Sequence, residues 1–89
     1  MSEWRVILLR PAERYLKRLP RHEQERILRA LERLQENPEQ ARPEPLVGRP
    51  EWKLGVGGRC ILFIPGREGK LFVVTTIGPR GDVYEGPRR

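Results

Sequence analysis

The chain has 89 residues, a formal net charge of +6 and a sequence pI near 10.4, which bounds it to one small domain (1–89) with a modest core and a preference for an acidic partner. No segment approaches the ~20 apolar residues that span a bilayer, and the apolar run from Val6 to Leu9 is too short for a signal peptide. The single Cys60 has no partner for an internal disulfide, so a reducing cytoplasm and no membrane association are expected.

Trp4 to Leu9 is rich in β-formers and predicts a first strand. Pro11 suits the first turn of a helix, and Ala12, Tyr15, Leu16 and Leu19 recur at helical spacing behind it. Pro20 ends that helix. Arg21 to Asn37 predicts a second helix, with an apolar stripe of Ile27, Leu28, Leu31 and Leu34, and with Glu25–Arg29 as an i,i+4 surface pair. So short a join makes the two helices a hairpin. Residues 38–50 hold Pro38, Pro43, Pro45 and Pro50 and are expected to form a loop, anchored by Leu46. Three strands follow, at about 51–56, 59–65 and 70–77. The first two are joined by Gly57-Gly58, which suits a two-residue hairpin turn. The long apolar runs of the last two strands place them at the sheet centre, under the helices. The order βααβββ predicts an α+β fold: an N-terminal strand and a helical hairpin packed on a small, mostly antiparallel sheet.

Adjacent strands offer one basic-aromatic surface, made of Lys53, Arg59, Arg80 and Tyr84, suited to binding phosphate and acting on RNA. The basic residues are 15 Arg against 3 Lys, and the guanidinium fork grips phosphate through two oxygens at once. Each residue also has a plainer reading. Lys53 is an exposed strand lysine, Arg59 follows a tight turn, Arg80 sits in a Pro-Arg-Gly turn, and Tyr84 packs on the sheet. Tyr15 is assigned to the core, Trp4 and Trp52 to packing, and Cys60 to a small core position. No Asp/Glu/His cluster has metal-ligand spacing, so no metal or cofactor is expected. Gly55-Val56-Gly57-Gly58 is a hairpin turn, not the opening of a phosphate-binding helix.

Taken in order, the strand, the helical hairpin ending in Leu16-Lys17-Arg18-Leu19-Pro20, Leu46-Val47-Gly48-Arg49-Pro50, Trp52-Lys53-Leu54, Gly57-Gly58-Arg59 and Arg80-Gly81-Asp82-Val83-Tyr84 resemble the RelE/ParE superfamily of toxin components. The likeness spans nearly the whole chain and rests on order and spacing more than on any one motif. It implies the toxin of a type II toxin–antitoxin system. In its RelE-like branch such a toxin is a ribosome-dependent endoribonuclease, an mRNA interferase cutting in the A site. The implied partners are a cognate antitoxin, the ribosome and mRNA, with operator DNA reached only through the antitoxin. Residue by residue, Lys53 resembles the first of two strand lysines, Arg59 the arginine of the next strand, Arg80 the arginine after the last long strand, and Tyr84 the C-terminal catalytic tyrosine. Gly55 stands where the best-known nucleases carry the second lysine. Two alternatives stay open: a ParE-like inhibitor of gyrase without nuclease activity, and a degenerate toxin serving only as an antitoxin-bound DNA corepressor.

The implied cleavage needs no metal. The substrate 2′-OH attacks the adjacent phosphate, the 5′-oxygen leaves, and a 2′,3′-cyclic phosphate remains. A base at the 2′-OH, positive charge on the phosphorane and an acid at the leaving oxygen assist. Arg59 and Arg80 suit the charge, while Lys53 and Tyr84 are candidates for the proton transfers, with Tyr84 also able to stack on a base.

Overall fold

The computed structural model describes residues 4–66 and 70–79. Arg80 and Tyr84, two of the four site candidates, and Arg67 to Gly69, between the last two predicted strands, lie outside the described residues. The described elements are β1 (Arg5–Leu8), α1 (Arg10–Arg18), α2 (Arg21–Glu36), α3 (Pro38–Ala41), β2 (Glu44–Pro45), β3 (Trp52–Val56), β4 (Arg59–Pro65) and β5 (Leu71–Pro79). The strands form one sheet in the order β1-β5-β4-β3-β2. β1 runs parallel to β5, and the other pairs are antiparallel. The α+β reading therefore holds, and the two apolar runs are the interior strands β4 and β5.

One face of the sheet carries the core. Ala12 and Leu16 of α1 and Ile27, Leu31 and Leu34 of α2 pack against Leu54, Ile61, Phe63, Phe72, Val74 and Ile77. Phe72 stacks on Trp4 at 4.3 Å between ring centroids and meets Phe63 edge-on at 5.2 Å, so Trp4 is a packing residue as expected. Leu28 is not part of this stripe and is 47% exposed. It lies one residue, or about 100°, round the helix from Ile27, beyond the arc that Ile27, Leu31 and Leu34 define. The expected Glu25–Arg29 pair does not form; the i,i+4 pair among the described residues is Lys17–Glu13, at 3.7 Å.

The proline-rich stretch 38–50 is more ordered than a loop. Asn37 ends α2, and its side-chain oxygen accepts a hydrogen bond from the Gln40 N–H at 3.3 Å, so it also caps α3. Pro38 at the first helical position needs no such partner. Glu44 and Pro45 then pair with Lys53 and Trp52, where an edge strand tolerates proline. The β4–β5 ladder shifts register between Leu62 and Phe63. Leu62 faces Thr76 and Phe63 faces Val74, leaving Thr75 as the extra residue, its hydroxyl on the Leu62 carbonyl at 3.4 Å. This bulge lets Phe72, Val74 and Ile77 share the core face despite their odd spacing.

In the β3–β4 turn only Gly57 has a positive φ, 62°, the pattern of a type II′ turn with glycine first. Gly57→Ala is therefore expected to cost about 1–2 kcal/mol from backbone strain alone. It would also push against the Arg26 guanidinium, whose Nη2 lies 2.8 Å from the position of the new Cβ. A fall in melting temperature of several degrees, read by circular dichroism, checks it; an unchanged midpoint would show that the turn re-forms another way.

Candidate functional site

Arg59 begins β4, directly after the Gly57-Gly58 turn, and is paired with Val56 of β3 and Pro79 of β5. Val56 and Leu54 belong to the helix side of the sheet, and strand alternation puts Arg59 on that side too. Its guanidinium is held there by both helices. Nε–H donates to the Tyr15 hydroxyl at 3.2 Å, and Nη1–H donates to Glu23 Oε1 at 2.8 Å. The other Glu23 oxygen lies 3.2 Å from His22 Nε2. His22, Glu23, Arg59 and Tyr15 thus form one polar cluster across the α1–α2 junction and the start of β4.

Local sequence sets this geometry. Pro20 caps α2, and the Gln24 side chain donates back to the Leu19 carbonyl at 2.9 Å, clamping the junction. That clamp fixes the first turn of α2, where Glu23 is also favoured by the helix dipole. Tyr15, assigned to the core from its spacing, is half-buried with its ring against the core and its hydroxyl on Arg59. Sequence reading missed Tyr15 and Glu23 as partners of Arg59. The available signal was chemical: a half-buried phenol normally finds a hydrogen-bond partner.

Lys53 lies elsewhere. It faces Leu62 on the side of the sheet away from the helices and forms an ion pair with Glu44 of β2 at 3.5 Å, its side chain 26% exposed. The expectation that Lys53 and Arg59 share one surface is corrected: they occupy opposite faces, displaced by three strand positions, about 10 Å. The physical reason is the two-residue turn. It pairs Arg59 with Val56, and Val56 and Lys53, three apart, point to opposite sides. Pro79, the residue before Arg80, is paired with Arg59, so β5 ends at the Arg59 end of the sheet. Gly55 is exposed on β3 and brings no charge beside Lys53. Cys60 is 1% exposed, buried as expected, but on the face away from the helix-side core.

Hollows lie at both ends of β3. At its Trp52 end, Trp4, Trp52, Phe63, Phe72, Pro38 and Pro43 surround an apolar pocket of about 410 Å³. At its Gly57 end, Arg26, Arg29 and Arg33 of α2 face Gly55, Val56 and Gly57 across a groove of about 350 Å³.

No protein-family model matches the sequence, and no curated protein matches it significantly. Solved structures do match. The archaeal RelE–RelB complex from Pyrococcus horikoshii OT3 superposes with a TM-score of 0.75 at 20% identity, over 91% of this chain and 99% of the matched one. The fold is that of the RelE toxins. The RelE-like architecture is matched again by the intact E. coli RelBE toxin–antitoxin complex, with a TM-score of 0.71 at 18% identity over 85% and 95% of the two chains. The RelBE2 toxin–antitoxin complex of Mycobacterium tuberculosis gives 0.68 at 22% identity over 92% and 97%. The expected RelE-like fold is therefore present across the described sheet and helices, at identities where sequence alone carries little signal.

Proposed function

We propose that this chain is the toxin of a type II toxin–antitoxin pair and that it cleaves mRNA on the ribosome. The observation that carries this reading is the match to RelE chains over nearly the full length of both partners. The matched E. coli and M. tuberculosis structures are toxin–antitoxin complexes, and a chain of net charge +6 suits an acidic partner and an RNA substrate alike. In this reading Arg59 and Arg80 stabilise the developing phosphorane charge, Lys53 and Tyr84 serve the proton transfers, and the substrate supplies its own nucleophile. Arg59 starts from an ion pair, so it engages phosphate by exchanging Glu23 for a phosphate oxygen, a swap between two acceptors of similar charge.

Two observations favour a second reading. Arg59 is already neutralised by Glu23, and Lys53 lies on the other face without a neighbouring lysine at Gly55. Both fit a RelE-like chain without nuclease activity, acting on gyrase by protein contact. Expression of the chain alone separates the two. Primer extension on translated mRNA is expected to show cuts within codons, and co-expression of the cognate antitoxin should abolish them. Intact mRNA with altered plasmid supercoiling would replace the first reading by the second.

A further inference from the structure

Arg26, Arg29 and Arg33 recur at i, i+3 and i+7 and form one stripe along α2. All three are exposed, and among the described residues none makes an ion pair or a side-chain hydrogen bond. Glu25, Glu32 and Glu36 adjoin this stripe at i,i+3 and i,i+4 spacing from Arg29 and Arg33, yet none of them forms an ion pair with these arginines. The stripe faces the part of the β3 edge that, among the described residues, is left unpaired, because β2 pairs with Trp52 and Lys53. In a hairpin closed by a two-residue turn, the Val56–Arg59 pair exchanges the hydrogen bonds, and the Gly55 N–H and C=O point outward, toward the groove. The floor is Gly55 and Gly57, with Ala30 on the helix wall, so no long side chain keeps a ligand off the backbone. Gly57 also has a steric role: the Arg26 guanidinium occupies the space a Cβ would take.

We propose that this groove binds the backbone phosphates of an RNA strand, as an anchoring site distinct from the residues that would cleave it. Three forked guanidiniums beside an open backbone N–H suit phosphate oxygens. An acidic peptide is the other polyanion to weigh, and the lining argues against it. Peptide affinity depends on buried apolar or aromatic anchors, and this groove offers only Ala30 and Val56. The aromatic lining is at the Trp52 end of β3 instead. A phosphate backbone needs charge and little else. The choice of RNA over DNA rests on the mRNA-directed reading above; the phosphate site itself does not.

The probe is a short 2′-O-methyl oligouridine, which cannot be cleaved, and the readout is fluorescence anisotropy across a salt series without ribosomes. The triple variant Arg26→Gln/Arg29→Gln/Arg33→Gln is expected to weaken binding at low salt by on the order of 10-fold or more. It should also flatten the slope of log K against log salt by about 2, since each phosphate contact on a single strand contributes about 0.7. Circular dichroism should show an unchanged fold, because the three side chains are exposed. The control triple Arg10→Gln/Arg14→Gln/Arg18→Gln on α1 makes the same change in net charge and is expected to keep most of the affinity and the slope. Equal losses in the two triples would assign binding to net charge and overturn the site, as would a slope unchanged by the α2 triple. Tighter binding of poly-glutamate than of oligouridine, lost in the α2 triple, would give the groove to an acidic protein instead. Failure of mRNA cleavage on ribosomes would leave this binding result standing, so the two readings fail separately.

Discussion

Arg59→Ala is expected to slow single-turnover cleavage of ribosome-bound mRNA by on the order of 10²-fold or more, because one guanidinium is removed from a phosphorane that carries developing charge. The structure adds a second effect that the sequence did not announce. Arg59 joins β4 to both helices through Tyr15 and Glu23, with its side chain 28% and that of Glu23 22% exposed. Losing a hydrogen bond to a charged group at a part-buried site costs about 1–3 kcal/mol and leaves the Glu23 carboxylate, among the described residues, with His22 as its remaining ion-pair partner. Arg59→Ala should therefore also melt several degrees lower, and cleavage must be compared at a temperature where both proteins are folded. Glu23→Gln separates the roles. It keeps an acceptor for Arg59 but removes the competing charge, so a catalytic Arg59 should bind RNA at least as tightly while the melting temperature falls slightly. If Arg59→Ala is less stable yet cleaves at the parent rate while folded, Arg59 is a strut between sheet and helices, and the site lies elsewhere.

Phe63→Ala is expected to be the most destabilising single change, at about 3–5 kcal/mol. Phe63 is 1% exposed at the centre of β4, edge-on to Phe72, and Phe72 in turn stacks on Trp4. Truncation opens a cavity beneath two helices and removes an aromatic contact that area alone does not count. Domains of this size hold about 5–15 kcal/mol in total, and each kcal/mol moves the midpoint by about 4–8 °C. The loss should thus exceed about 12 °C and bring the chain close to unfolding at ordinary temperatures. Leu28→Ala makes the contrast: at 47% exposure it should cost well under about 1 kcal/mol, although the sequence put Leu28 in the same apolar stripe as Ile27. Thermal melts of both variants decide this. Equal destabilisation would mean that α2 is rotated on the sheet from the orientation described.

The elements themselves were legible from local chemistry. Pro11 and Pro20 bracket α1, the 3.6-residue recurrence of Ile27, Leu31 and Leu34 marks α2, and Gly57-Gly58 between two apolar runs marks the β3–β4 turn. These signals act within a few residues of chain, where one sequence suffices to read them. The continuous apolar runs of β4 and β5 likewise foretold the sheet centre: Ile61, Phe63, Phe72 and Val74 lie under the helices, and Cys60 and Leu62 on the other face are buried as well.

The face each charged residue occupies was settled by tertiary structure. Lys53 and Arg59 are six residues apart, and their separation to opposite faces depends on which residues pair across the turn. The extra residue Thr75 inverts the alternation of β5, so that Ile77 is buried and Thr76 exposed; reading the strand by period two from Phe72 and Val74 gives the reverse. Tyr15 and Glu23 meet Arg59 across 44 and 36 residues of sequence. Arg29 is left without Glu25 although the spacing allows that pair. Hydrophobic period and turn chemistry, being local, are determined by this sequence alone. The pairing of distant side chains is decided by register and by the packing of helices on the sheet, where a shift of one residue exchanges the two faces.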